Sequence, residues 1–130
     1  MRLAALALLL LGCAHAPRVI PESIALHGGL YMPWTPMHTA HRDTVLACLG
    51  LTQGRPNPTL WIARANLVVR GRQAWAYYDG ASNAVVFAGT MPVEHYWPVF
   101  RHEMLHATEG TPGHGTNFTR AAECGFWPHQ

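Results

Sequence analysis

Apolar residues are spaced along this chain in several distinct ways, and each spacing predicts a different element. Met1–Gly12 reads MRLAALALLLLG, one Arg followed by an unbroken Leu/Ala run. A membrane-spanning helix needs ~20 apolar residues, so this run is too short to span. A charged start and a short apolar stretch are instead the signature of a signal peptide, over residues 1–12. From Ala14 to Pro36 the chain is rich in Pro and Gly and has no clean period. It reads as a tether and an irregular lead-in, with Ile20, Ile24, Leu26, Leu30 and Tyr31 able to pack. Thr35-Pro36 supplies a helix cap and a first-turn proline, and Val45, Leu46 and Leu49 follow at helical spacing. These signals predict a helix from Pro36 to about Leu49, stopped by Gly50 and the Gly54–Pro58 run.

The pattern then changes to period two. In Thr59–Val69, TLWIARANLVV, alternation puts Leu60 and Ile62 on one face and Trp61 and Ala63 on the other. Further strands are predicted over Gln73–Tyr78 and Asn83–Ala88, joined by an Asp79-Gly80-Ala81-Ser82 hairpin turn. Helical spacing returns near Trp97–Pro98, where a proline is tolerated at a helix start. That helix should end by Glu109, because Gly110-Thr111-Pro112-Gly113 follows. A short last helix is predicted over about Asn117–Cys124, with Thr116 as cap and Gly125 as stop. The expected fold is α+β: an N-terminal helix, a three-stranded mostly antiparallel sheet, a central helix and a short C-terminal helix. Residues 35–130 would form the domain and residues 13–34 the tether.

Composition narrows the function. At 130 residues there is room for one domain. Hydrophobic residues make up 49% and charged residues 12%, the reverse of a disordered or acidic activation segment. A net charge of +2 is small for a nucleic-acid module, so no nucleic-acid partner is expected. The unusual count is nine His against seven acidic residues, which directs attention to metal ligands.

Chemistry concentrates in His102-Glu103-Met104-Leu105-His106, an HExxH pattern. Helical residues four apart share a face, so His102 and His106 can hold one zinc ion. Glu103, one step round, is placed to act on metal-activated water as general base. A hydrolytic zinc site needs three protein ligands and one open position. His114, in Pro112-Gly113-His114-Gly115, is favoured as the third ligand, its flanking glycines letting the backbone turn. Glu109 lies too close, and Glu123 on the last helix is the alternative. His38 and His41, three apart, read as surface histidines, with a second metal site the lesser reading.

HEMLHA followed by GHGTNFTRAAECG resembles the SprT-like zinc metallopeptidase domain. Members of that family carry HExxH on a helix and the third His in a GHG-x-x-F stretch opening the next helix. The resemblance implies a zincin-like fold and a peptide or protein substrate, and makes Phe118 the residue that packs the last helix on the first. It is specific only over His102–Phe118, and the short link from His106 to His114 departs from the family pattern. By analogy with zincins, the strand carrying Asn83, Val85 and Phe87 would be the edge that hydrogen-bonds an extended substrate. Tyr77, Tyr78, His95 and Tyr96 are candidates to stabilise the oxyanion.

Leu10-Leu11-Gly12-Cys13 resembles the lipobox of bacterial lipoproteins. The resemblance implies cleavage before Cys13, a lipid on Cys13, and a membrane-anchored protein of the cell envelope, by the Ala at position 14 of the outer membrane. Of the three Cys, Cys48 and Cys124 then remain to pair with each other. Closing so long a loop would stabilise by ~3–4 kcal/mol. The expected function is an anchored zinc peptidase. A non-catalytic zinc- or peptide-binding lipoprotein on the same fold is the alternative, and a cell-wall amidase is a weaker one.

Overall fold

The computed structural model describes residues 18–125. The expected leader at residues 1–12, the expected lipid site Cys13 and residues 126–130 lie outside the described residues. No helix among the described residues is long and apolar enough to cross a membrane.

Among the described residues the architecture is mixed: four α-helices, a four-stranded sheet and a separate two-stranded sheet. Helix α1 spans Glu22–His27, α2 Pro36–Leu49, α3 Tyr96–Glu109 and α4 Thr116–Glu123. The strands are β1 Gly29–Met32, β2 Thr59–Ala63, β3 Leu67–Val69, β4 Arg72–Ala74, β5 Ala76–Asp79 and β6 Ala84–Ala88. The main sheet has the order β1-β2-β6-β5. β2 and β6 run parallel, while β1 with β2 and β5 with β6 run antiparallel.

Helices α2 and α3 lie where local signals predicted them. Thr35 caps α2, and its N–H donates to Nδ1 of His38 at 3.0 Å. His38 is therefore not a surface histidine: it is 4% exposed, and its Nε2 lies 2.8 Å from the Tyr96 hydroxyl. With Nδ1 accepting, Nε2 carries the proton and donates to Tyr96. Gly110 ends α3 in the left-handed region, φ 71°, where its N–H reaches the His106 carbonyl at 2.8 Å.

The sheet departs from the expected three strands. The predicted strand Thr59–Val69 breaks at Arg64–Asn66, and Gln73–Tyr78 breaks at Trp75. Between those breaks β3 and β4 form their own hairpin around Arg70-Gly71, both at positive φ, a turn whose twist suits tightly paired strands. Both ends of this excursion meet one residue of β6. Ala63 pairs with Ala88 in the parallel register, and the Ala88 N–H donates to the Trp75 carbonyl at 2.7 Å. The lead-in also contains order that was not expected, namely α1 and the edge strand β1.

Two apolar clusters sandwich the main sheet. On one face Leu60, Tyr78, Val85 and Phe87 meet Val45 and Leu49 of α2, Phe100, Met104 and Leu105 of α3, and Phe118 and Ala121 of α4. On the other, Trp61, Ala63, Ala84, Val86 and Ala88 meet Ile24 of α1 and Leu67 of β3. β6 is buried on both faces, which explains its unbroken apolar run AVVFA. Cys48 at the end of α2 is disulfide-bonded to Cys124 just past α4. The bridge holds α4 beside the helix layer.

Candidate metal centre

α3 packs against β5 with Phe100, Met104 and Leu105 in the core, and this orientation turns His102, Glu103 and His106 toward a cleft. The cleft, about 200 Å³, lies between α3, β5 and the β3–β4 hairpin. His102 and His106, one helical turn apart, bring their Nε2 atoms to 3.1 Å. Two nitrogens at ~2.05 Å from a tetrahedral zinc would lie ~3.3 Å apart, so the pair fits such an ion. His106 Nδ1 lies 3.1 Å from the Thr111 carbonyl. Donating its proton there leaves the Nε2 lone pair facing the cleft, the tautomer a metal ligand needs.

His114 joins them. Its ring stacks on His106 at 5.1 Å between centroids and meets His102 edge-on at 5.3 Å. The ligand atoms of His102, His106 and His114 all lie within 4.8 Å of one another, a group that could hold a metal ion. His114, and not Glu123, is in that group. Phe118 is 2% exposed and touches all three imidazoles, with ring centroids 4.4–5.1 Å away.

Burial dominates the electrostatics of the cluster. Burial, then the charges of His106 and His114, push His102 down to about 3; burial, then His114, push His106 down to about 4. Both are therefore neutral ligands at physiological pH. Glu103 is 4% exposed, and burial pushes it up to about 8. Its Oε2 and the Nδ1 of His102 are buried with no hydrogen-bond partner. A buried polar atom left without a partner is costly unless water or a bound group completes it.

The loop carrying His114 is held by Glu109. α4 has Gly115 at its cap position and no side-chain cap of its own. Glu109 Oε1 instead accepts the Asn117 N–H at 3.1 Å, so a carboxylate from the end of α3 caps α4. A Cβ on Gly115 would stand 2.8 Å from Glu109 Oε2. Gly115 has φ −88° and Gly113 is not among the positive-φ residues. The chain does bend through residues 111–113, but neither glycine takes the left-handed conformation, and Gly115 makes room for the Glu109 carboxylate.

The substrate-strand assignment is also corrected. β6 lies between β2 and β5, so both its hydrogen-bonding edges are occupied. Val85 and Phe87 are core residues at 0% and 1% exposure, and Asn83 sits in the turn at φ 47°. The strand whose outer edge borders the cleft is β5. Of the four oxyanion candidates, Tyr78 donates its hydroxyl to Asn83 Oδ1 and Tyr77 pairs with Ser23. Tyr96 is engaged by His38, and His95 stacks on Trp75 at 4.2 Å. Tyr77 and Tyr78 do line the cleft, and so does Arg70, a polar donor that sequence reasoning missed. Its signal was the Arg70-Gly71 turn dipeptide.

No family model, curated protein or solved structure matches the chain.

Proposed function

We propose that this chain is a zinc-dependent peptidase, anchored to the bacterial envelope through a lipid on Cys13. The observation that carries the reading is the convergence of the His102, His106 and His114 imidazoles, beside the buried Glu103 carboxyl with its unpartnered Oε2, at a cleft bordered by a sheet edge. His102, His106 and His114 would hold the ion, and three nitrogens leave one position open, as hydrolytic zinc sites require. Zinc supplies Lewis acidity for a carbonyl and for water.

The remaining steps belong to the protein. The outer edge of β5 would align an extended peptide by main-chain hydrogen bonds. Glu103 would take a proton from water at Oε2 and return it to the departing amine. A dication nearby favours its ionised form, opposing the effect of burial. Arg70 is placed to donate to a substrate oxygen at the mouth of the cleft. Phe118 and Pro112 restrict water from one side. The likeness of HEMLHA and GHGTNF to SprT-like peptidases agrees with this reading, as does a zincin-like arrangement of an edge strand beside an HExxH helix.

The test is metal analysis and peptide-library digestion of wild type, His102→Ala and Glu103→Gln. One zinc per chain is expected in wild type and Glu103→Gln, and little in His102→Ala. Glu103→Gln should lower hydrolysis ~10²–10⁴-fold. Full activity in that variant would remove Glu103 from the mechanism. Stoichiometric zinc with no hydrolysis in wild type would support the non-catalytic zinc-binding alternative.

A further inference from the structure

A second hollow opens on the opposite face of the sheet from α3. It measures about 530 Å³ and is walled by Ala63, Ala65, Leu67, Val68 and Val69, with the polar Ser23, His27 and Asn66 also on its lining. Val69, Arg70 and Tyr77 line both this hollow and the cleft that holds the histidines. The two spaces therefore adjoin across β5 and the β3–β4 hairpin.

β5 separates them by its own alternation. Tyr78 packs into the cluster on the α3 side, and its neighbour Tyr77 packs against the cluster on the α1 side. Any strand added along the outer edge of β5 must alternate in the same way, because successive side chains point to opposite faces. Among the described residues β5 pairs only with β6, so that edge is available. A peptide placed with one residue over His102 and His106 must send the adjacent side chain through the sheet plane toward the hollow. Its walls are mostly apolar, and of the residues shared with the cleft only Arg70 carries a charge.

We propose that this hollow is the specificity pocket of the enzyme and takes a large apolar side chain, aliphatic or aromatic, from the residue next to the scissile bond. The inference rests on the peptidase reading given above. It predicts cleavage beside residues such as Leu or Phe, and discrimination against Gly and Asp. Fully burying one such side chain corresponds to a preference of ~10–100-fold.

The experiment uses the zinc-loaded full-length chain in detergent and a series of peptide hydroxamates. The compounds share a zinc-binding hydroxamate and differ in one side chain: hydrogen, isobutyl, benzyl or carboxymethyl. Binding is followed by calorimetry, so no turnover is needed. The isobutyl and benzyl compounds should bind ~10–100-fold more tightly than the hydrogen compound. Ala65→Asp and Val68→Asp place a charge in the hollow at exposed positions, Val68 being 70% exposed. Both should reduce the preference below threefold while zinc content and affinity for the hydrogen compound stay unchanged. Equal binding of all four compounds, or a preference that survives both substitutions, overturns the pocket and leaves the peptidase reading intact. No hydroxamate binding to a protein holding one zinc removes the peptidase reading instead. If Ala65→Asp loses zinc through misfolding, the Val68→Asp result decides.

Discussion

Replacing Glu109 by Ala should weaken zinc binding although Glu109 is not a ligand. Its carboxylate is the side-chain acceptor at the start of α4, 3.1 Å from the Asn117 N–H, and it links the end of α3 to the helix that follows His114. Losing a helix cap costs about 1 kcal/mol, and losing a negative charge at a helix N-terminus adds a few tenths to 1 kcal/mol. The segment Gly110–Gly115 would then sample orientations in which His114 no longer faces His102 and His106. If the full ~1–2 kcal/mol is charged against the metal-competent arrangement, zinc affinity falls ~5–30-fold. Competition against a chromophoric chelator measures this directly. Glu109→Gln keeps an acceptor oxygen and should recover most of the loss. Gly115→Ala should act in the same direction as Glu109→Ala, because its Cβ would displace the carboxylate. Unchanged zinc affinity in both Glu109→Ala and Gly115→Ala would refute the view that this contact positions His114.

Two further outcomes follow from the same chemistry. The metal-free protein should be most stable near pH 6.5. His102 and His106 are pushed down to about 3 and about 4 from 6.5, so the unfolded chain binds more protons there and stability rises with pH up to about 6.5. Glu103 is pushed up to about 8 from 4.5, so the folded chain binds more protons and its contribution is lost as pH rises toward 8. Denaturant melts should show the decline above pH 6.5 in wild type and not in Glu103→Gln; a flat profile in wild type would contradict the burial of that carboxylate. Reducing Cys48–Cys124, or replacing both residues by Ser, should lower stability by ~4–5 kcal/mol, given a sequence separation of 76. Thermal melts with and without reductant test this, and coincident curves would show that the bridge contributes nothing.

The elements marked by local chemistry were the ones legible in the sequence. Thr35-Pro36 and Gly50 bound α2, and Gly110 ends α3, because caps and left-handed stops act within a few residues. His102, Glu103 and His106 were legible for the same reason, since one helix fixes their relation. The third ligand was favoured on zinc preference, but its means of support was not visible, because Glu109 reaches Asn117 across a loop. Strand order was beyond local reading. β6 pairs in parallel with β2 across a long stretch of sequence, and nothing in AVVFA distinguishes a central strand from an edge. Thr59–Val69 looked continuous because Ala65 and Leu67 keep the alternation through the break. β1 escaped notice because Gly29-Leu30-Tyr31-Met32 gains its identity only from pairing with β2. His38 looked like a surface residue because its partner Tyr96 lies 58 positions away.

The convergence of Ala63 and Trp75 on Ala88 makes the β3–β4 excursion modular. Residues 64–75 begin and end beside the same residue of the central strand, so their length and sequence can change without shifting the register of β2, β6 or β5. Closing a longer loop between such fixed ends costs little, only ~0.6 kcal/mol per doubling. The His102–His106 pair on α3 and the wall-forming residues on the hairpin thus sit on separately exchangeable pieces of chain. Grafted hairpins could vary what the cleft admits while leaving the His102–Glu103–His106 turn untouched.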